Sequence, residues 1–261
     1  MAHGDAATRI ISLAPHLTEL AFAAGAGDRL VGVSAYSDFP EGAKKLPQIG
    51  SSANVDLERI VALQPNLILA WQSGNSPFAI GRLQAMGFRV YISEARKLKD
   101  IATQLRAIAK LSGTETVGES NAQHFEQQLD DLKKRGAGKS FVTTFVDIWQ
   151  NPFITVNGKH IISDVLALCG GKNVFAYAPT LTPAVGLEAL LGAAPSAIVG
   201  GDSATNSINF VRSWQAYPQL SAVRNGHIYF VHPDVIQRPT PRILEGARRI
   251  CDGLDKVRRQ R

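Results

Sequence analysis

Long hydrophobic runs are missing from the sequence, and charged residues are few. No apolar stretch approaches the roughly 20 residues that a membrane-spanning helix needs, so no such helix is predicted. Residues 1–8 also lack the hydrophobic stretch of a signal peptide. We interpret these residues as a remnant of expression, which implies that a natural targeting segment was removed from the protein. Charged residues make up 19% of the 261 and hydrophobic residues 45%, a balance that excludes collagen, simple repeats and wholesale disorder.

Motifs of common enzyme classes are absent as well. The sequence contains no G-x-x-x-x-G-K-[ST] phosphate loop, no G-x-S-x-G nucleophile elbow and no H-E-x-x-H zinc motif. The stretch Gly25-Ala-Gly27-Asp-Arg-Leu30 lacks the last glycine of a dinucleotide-binding loop and follows a predicted helix instead of a strand. An α/β enzyme such as a hydrolase would need a nucleophile–base pair or a phosphate site. Because neither is found, an enzymatic function is disfavoured.

Cysteine and histidine are too scattered to indicate a metal site. Cys169 and Cys251 are the two cysteines, and their separation excludes a C-x-x-C motif and a four-cysteine zinc site. They form either one disulfide or two buried free thiols, and the spacing does not decide between the two. His16, His160 and His232 follow no ligand spacing, so ordinary surface or core histidines are favoured over metal or haem ligands.

Positive charge is in modest excess, with a formal net charge of +6. Part of that excess lies in residues 256–261, which we interpret as a solvated tail. The basic stretches lack interleaved aromatic residues, so no nucleic-acid partner is predicted.

Apolar strands alternate with amphipathic helices along the chain, which predicts an α/β fold with parallel sheets covered by helices. Thr18 is the predicted cap of the first helix and Asp56 of the second. The predicted strands are residues 10–13, 30–33, 67–71, 89–92, 141–145, 197–200 and 228–231. The predicted helices are residues 18–25, 56–63, 78–86, 98–111, 114–135, 161–169, 188–194 and 242–257.

Two features favour two similar lobes. Leu57–Ala70 and Leu187–Gly200 share a pattern of Leu-Glu, an apolar turn, a proline and a buried strand, about half the chain length apart. Between them, residues 114–135 carry one narrow apolar stripe on a helix of roughly 30 Å, which is either one more surface helix or a rod between lobes. We therefore predict an N-terminal lobe at 8–112, a linking helix at 113–137 and a C-terminal lobe at 138–261.

Residues directly after the predicted strands are aromatic and polar. Pockets favour domain interfaces and the carboxyl ends of parallel strands, so these residues are predicted to line a cleft between the lobes. Tyr36 and Trp71 belong to this group, as do the segments 14–16, 146–153 and 232–238.

Several stretches carry a resemblance to a known family. Arg9–Gly25, Val31–Pro40, Leu57–Leu63, Leu168–Phe175 and Pro241–Ile243 resemble the periplasmic siderophore- and cobalamin-binding proteins of ABC importers. The likeness extends from about Arg9 to Leu254, and Tyr36-Ser-Asp-Phe-Pro40 narrows it toward the cobalamin binders.

The resemblance implies a fold and a non-catalytic function. In such proteins one long rigid helix joins two lobes, with little hinge motion. The protein is expected to be a periplasmic monomer that captures cobalamin in the cleft and delivers it to a membrane-embedded ABC permease with ATPase subunits. Cobalamin would be the transported ligand, and no cofactor is expected. An iron siderophore or haem is the alternative ligand, with Tyr36 or His16 as the ligand to the iron.

The resemblance also assigns roles to residues. It implies that Tyr36, an aromatic at Phe153 and the stretch Asp234-Val235-Ile236-Gln237-Arg238 line the cleft, where Trp71 would add a flat apolar contact. It implies that Glu58 and Glu188 dock the permease and that Cys169 and Cys251 form a disulfide. Ser52 and Thr182 stand where the resembled protein carries tryptophans, so two stacking surfaces are missing.

Overall fold

The structure is a computed structural model that describes residues 5–201 and 206–260, and it divides into two units. The first unit holds the residues up to Ala95 together with Lys99–Glu126. The second holds Arg96–Leu98 and the residues from Gln127 onward. Residues 1–4, in the predicted expression remnant, and residues 202–205 and 261, in the predicted C-terminal lobe, lie outside the described residues.

The first unit is built on a four-stranded parallel sheet. Its strands are β1 (Ile10–Ser12), β2 (Leu30–Val33), β3 (Leu67–Trp71) and β4 (Val90–Ser93), in the order β2-β1-β3-β4. The helices that follow or precede these strands are α1 (Pro15–Ala23), α2 (Leu57–Ala62), α3 (Pro77–Ala85) and α4 (Leu98–Ser112).

The second unit contains a four-stranded parallel sheet and one short antiparallel pair. The parallel strands are β5 (Val142–Asp147), β7 (Gly171–Asn173), β9 (Ala197–Gly200) and β10 (Ile228–Phe230), in the order β10-β9-β5-β7. The antiparallel pair is β6 (Phe153–Ile154) and β8 (Ala184–Val185). Its helices are α6 (Ile161–Leu168), α7 (Leu187–Ala193), α8 (Ser207–Trp214), α9 (Ser221–Arg224) and α10 (Ile243–Arg259).

The two sheets share one topology. Counted in chain order, the parallel strands of each unit are arranged 2-1-3-4. The repeated Leu-Glu segments form α2 and α7, and each of these helices precedes the third strand of its sheet. The prediction of two similar α/β units is therefore confirmed.

The predicted long helix is α5 (Glu115–Gly136), which contributes residues to both units. Its stripe is buried at Ala122, Phe125, Leu129 and Leu132. Gly118 continues the stripe, and an added Cβ there would overlap Ala109 of α4, so this close approach requires glycine. In the described part of the chain, none of the helices is long and apolar enough to cross a membrane.

Some local predictions were wrong or incomplete. α1 begins at Pro15 with Ala14 at its cap, so Thr18 is not a cap but a fully buried residue inside the helix. Proline suits the first helical position because its fixed φ is already helical and its missing N–H has no partner to lose. β6 and β8 were not predicted because two residues show no period, and β7 was missed because Gly171-Lys-Asn173 carries no apolar run; α8 and α9 were also missed.

Candidate functional site

The topology itself points to one edge of each sheet. In the order 2-1-3-4, the connections leave strands 1 and 3 in opposite directions, and ligands of α/β proteins bind at the carboxyl ends of strands at such a switch point. In the first unit the switch point lies between β1 and β3, and in the second between β5 and β9. The residues that follow these strands are therefore the first candidates for ligand contacts.

Trp71 lies at the switch point of the first unit. It is the last residue of β3, and its ring meets the edge of His16, which follows β1 in the first turn of α1, with ring centroids 5.0 Å apart. Gly74 lies directly against the indole, since an added Cβ would overlap the ring. Trp71 is half-buried and His16 is buried, so the tryptophan is the more accessible of the pair.

Tyr36 follows β2 and is 77% exposed. Its backbone has φ 65°, in the left-handed region that residues other than glycine rarely adopt. A neighbouring hydrogen bond from Ala35 N–H to the carbonyl of Gly50 (2.7 Å) holds the loop in place. A strained, exposed aromatic residue of this kind is typical of a functional position.

A chain of buried hydroxyl groups anchors the tyrosine loop beneath its surface. Ser34 Oγ lies 3.3 Å from Ser37 Oγ, which lies 3.0 Å from Thr18 Oγ1. Thr18 donates to Ser12 Oγ (2.9 Å), and Ser12 donates to the carbonyl of Ala14 (2.9 Å). Each hydroxyl has one proton, so the chain is satisfied when every member donates toward Ala14. The loop after β2 is thereby fastened to the end of β1.

In the second unit, an ion pair forms in the segment after β10. Asp234 Oδ1 lies 2.9 Å from Arg238 Nη2, and the two side chains are 25% and 15% exposed. The Nδ1 atom of His232 accepts a hydrogen bond from the Asp234 N–H (3.3 Å). An arginine can donate up to five hydrogen bonds and a carboxylate can accept about four, so both groups of this pair have the chemistry to recognise polar groups of a ligand.

The other predicted residues of this segment are less accessible. The side chains of Val235 and Ile236 are 7% and 2% exposed and belong to the core. Gln237 donates from Nε2 to the carbonyl of Gly201 (3.3 Å), which connects this segment to the end of β9. The structure thus gathers Asp234, Gln237 and Arg238 as polar groups, with the two apolar side chains beneath them.

Phe153 is almost entirely buried. Its ring is 7% exposed and stacks on Trp214, with centroids 5.3 Å apart and planes at 15°. It also meets Phe145 and Tyr217 edge-on. The ring therefore packs in the core of the second unit, and its predicted contact with a ligand stays a prediction.

Sequence reasoning did not single out two exposed aromatic residues at the same edge of the second sheet. Trp149 follows β5 and is 47% exposed, and Tyr177 follows β7 and is 95% exposed. Trp149 lies within the predicted segment 146–153, whereas the end of β7 was not predicted because Gly171-Lys-Asn173 carries no apolar run.

Asp147 ends β5 and is buried. Its Oδ2 accepts hydrogen bonds from Trp214 Nε1 (3.0 Å) and Gln150 Nε2 (2.6 Å), and its carbonyl accepts from Gly201 N–H (3.1 Å). The carboxylate therefore ties the loop that carries Trp149 to the core, and the backbone carbonyl ties the end of β5 to the residue that follows β9.

Glu58 and Glu188 occupy the first turns of α2 and α7, and both are exposed. Asp56 caps α2 by accepting from the Arg59 N–H (2.9 Å), so Glu58 is not needed as a cap. α7 begins after Gly186 with no side-chain cap, and Glu188 there interacts favourably with the helix N-terminus.

The predicted disulfide between Cys169 and Cys251 is present and joins the end of α6 to α10. Arg258 donates from Nη2 to the carbonyl of Cys169 (2.7 Å) and reaches Asp255 at 2.8 Å. Burial raises the pKa of Asp255, but hydrogen bonds from Lys139, Arg135 and Arg258 outweigh it and lower that pKa to about 2.

Within the described residues, no group of three or more histidine, cysteine, aspartate or glutamate side chains is placed to hold a metal ion.

Sequence and fold both match known proteins along almost the whole chain. The pattern of the family described as "Periplasmic binding protein" matches residues 10–235. Over 254 residues the chain is 38% identical to the vitamin B12-binding protein of Vibrio cholerae, covering 97% of this chain and 91% of that protein. The crystal structure of the periplasmic vitamin B12 binding protein BtuF of Vibrio cholerae matches with a TM-score of 0.89 and 38% identity, covering 96% of this chain and 98% of that one. The periplasmic heme-binding protein RhuT from Roseiflexus sp. RS-1 shares the fold, with a TM-score of 0.83 at 23% identity over 97% of this chain and 99% of that one.

Proposed function

The chain belongs to the periplasmic binding protein family, and from that premise we propose that it captures cobalamin, or a closely related corrinoid, for import. The observation that carries the proposal is the likeness to vitamin B12-binding proteins in both sequence and fold, over nearly the full length of the chains. A binding protein of this kind needs shape and polar complementarity but no catalytic group, so we propose a carrier and not an enzyme.

The apolar and the polar contacts with the ligand are proposed to come from different residues. Tyr36 and Trp71 offer flat apolar surface at the carboxyl edge of the first sheet, and a corrin ring is a large flat ligand. Asp234, Gln237 and Arg238 offer acceptors and donors for the amide side chains of a corrinoid. Phe153, Val235 and Ile236 are almost entirely buried in the second unit, so their contact with the ligand is the smaller part of the proposal.

The proposed compartment is the periplasm. A disulfide between Cys169 and Cys251 persists in an oxidising environment, and disulfides are rare in the cytosol. In the periplasm the protein would act as a monomer that delivers its ligand to a membrane-embedded ABC permease with ATPase subunits.

Docking to that permease is proposed to use Glu58 and Glu188. Both carboxylates are exposed, and both occupy the same position in the two units, in the first turn of the helix before the third strand. A permease with two identical subunits offers two equivalent basic sites, and an equivalent pair of acidic residues complements them.

Haem is the second candidate ligand, and Tyr36 is the residue that favours it. A phenol oxygen ligates iron in some haem proteins, and Tyr36 is exposed on a well-anchored loop. An iron siderophore belongs to the same alternative.

An optical experiment separates these ligands. The protein is equilibrated with cyanocobalamin, haemin or a ferric siderophore, passed over a desalting column, and its absorption spectrum is recorded. We expect the cyanocobalamin spectrum to stay with the protein in about equimolar amount. Retention of haemin or the siderophore without cyanocobalamin would overturn the corrinoid proposal and leave the carrier function standing.

A further inference from the structure

One buried asparagine connects three separate segments at the switch point of the first unit. Asn75 is 3% exposed and lies just after β3. Its Oδ1 accepts from the Trp71 backbone N–H (2.6 Å). Its Nδ2 donates to the carbonyl of Leu13 after β1 (3.0 Å) and to the carbonyl of Ser52 (2.8 Å). All of these bonds come from one side-chain amide, whose acceptor and both of whose donor hydrogens are thereby used.

The same asparagine controls the backbone from which the Trp71 side chain projects. The backbone also closes the turn, because the Asn75 N–H donates to the Trp71 carbonyl (3.0 Å). Gly74, inside this turn, lies against the indole, and His16 meets the ring from the end of β1. The orientation of Trp71 is therefore set by a turn that Asn75 fastens to β1.

We propose that Asn75 is a positioning residue of the ligand site: it fastens the Trp71 turn to the carbonyls of Leu13 and Ser52 and so holds Trp71 in the orientation that a corrinoid meets. The inference rests on the proposed function, and it assigns to Asn75 no direct contact with the ligand. Its physical basis is preorganisation: a ring already held in its binding orientation loses less conformational entropy when the ligand arrives.

A matched control exists in the second unit. Asn173 is 6% exposed, donates from Nδ2 to the Val156 carbonyl and Ser163 Oγ (2.8 Å each), and accepts from the Phe175 N–H (2.9 Å). It resembles Asn75 in burial and in its three hydrogen bonds, but none of its partners is Trp71 or Ser52. Asn173→Ala therefore reports what the loss of such an asparagine does to stability alone.

The first test is a double-mutant cycle on the affinity for cyanocobalamin, measured by calorimetric titration. We expect Asn75→Ala to weaken binding about 10-fold, the order expected from the loss of one preorganised contact. In a Trp71→Ala background the same change should alter affinity less than about twofold, because the residue that it positions is gone. Equal losses in both backgrounds would overturn the proposal.

The second test needs no ligand. Near-ultraviolet circular dichroism of the unliganded protein reports the fixed environment of Trp71, whose contribution is the difference between wild type and Trp71→Phe. Asn75→Ala should remove that contribution, and Asn173→Ala should leave it intact. Asn75→Asp keeps the oxygen that accepts from the Trp71 N–H, so this variant should retain part of the Trp71 contribution. It provides the test if Asn75→Ala does not fold.

The two tests distinguish the possible failures. An unchanged Trp71 signal in folded Asn75→Ala would overturn the positioning role, whatever the ligand is. If wild type retains no cyanocobalamin, the proposed function fails, and so does the role of Asn75 in binding a corrinoid. This holds even if Asn75→Ala removes the Trp71 signal as expected.

Discussion

At the scale of single residues, Tyr36 combines features that seldom occur together. Its backbone lies in the left-handed region, its ring is exposed, and the hydroxyl chain below it fixes the loop. A positive φ at a residue with a bulky side chain costs of order 1–3 kcal/mol. That cost is tolerated because buried hydrogen bonds determine the loop conformation. As a result, the loop presents the Tyr36 ring to solvent.

The residue-scale prediction concerns ligand affinity. Tyr36→Ala and Arg238→Ala should each weaken cyanocobalamin binding by about 10- to 100-fold, since each removes one stacking or charge-assisted contact. Tyr36→Phe keeps the ring and should bind within about threefold of wild type, a difference under 1 kcal/mol. Calorimetric titration measures all three variants, and unchanged affinity in both alanine variants would place the ligand elsewhere.

At the scale of elements, α6 begins at a histidine that acts as its cap. The Nδ1 atom of His160 accepts from the Ile162 N–H (3.2 Å), which only an unprotonated Nδ1 can do. Burial lowers the pKa of His160 to about 4, from an ordinary value of 6.5. The neutral ring is thus part of the folded helix start.

This cap predicts a pH dependence of stability. Between pH 6.5 and 4 the unfolded chain binds a proton at His160 that the folded protein does not, so the free energy of unfolding falls as the pH falls. The loss of unfolding free energy reaches about 3 kcal/mol when the pH has fallen through 4, and no loss is expected well above pH 6.5. His160→Asn keeps a capping acceptor without titrating. Urea unfolding at pH 7.5, 6 and 5 should show wild type losing more stability than the variant, and parallel curves would contradict this role.

At the scale of the whole molecule, the disulfide closes a long loop. Cys169 and Cys251 are 82 residues apart in the sequence, and the chain-entropy estimate for such a loop is about 4.5 kcal/mol. We expect the Cys169→Ala/Cys251→Ala double variant to lose about that much free energy of unfolding in urea while retaining its affinity for cyanocobalamin. Intact-mass analysis after denaturing alkylation without reductant should find no alkyl group on wild type, and the uptake of two would mean free thiols.

Delivery of the ligand gives a second prediction at this scale. Glu58→Arg or Glu188→Arg should leave cyanocobalamin affinity unchanged but impair its uptake into vesicles that contain the importer, and the double variant should abolish uptake. Glu115→Arg is the matched control, because Glu115 is also an exposed glutamate in the first turn of a helix, α5. Full uptake by the double variant would leave helix stabilisation as the only role of the two glutamates.

Local sequence patterns were enough to predict the alternation of strands and helices, the repeat of α2 and α7, and the strand ends at which Tyr36 and Trp71 lie. These follow from local rules, because periodicity, caps and prolines act over a few neighbouring residues. The same rules do not predict β7, because Gly171-Lys-Asn173 carries no apolar run.

The packing of the folded chain determined which of the strand-end residues are exposed. It buried Phe153 against Trp214 and placed Val235 and Ile236 in the core, while it left Trp149 in solvent. The spacing of the cysteines did not decide whether they form a disulfide, and no sequence pattern predicted the hydrogen bonds of Asn75. The reason is physical: burial, disulfide pairing and the hydrogen bonds of a side-chain amide depend on groups that are far apart in the chain and meet only when it folds.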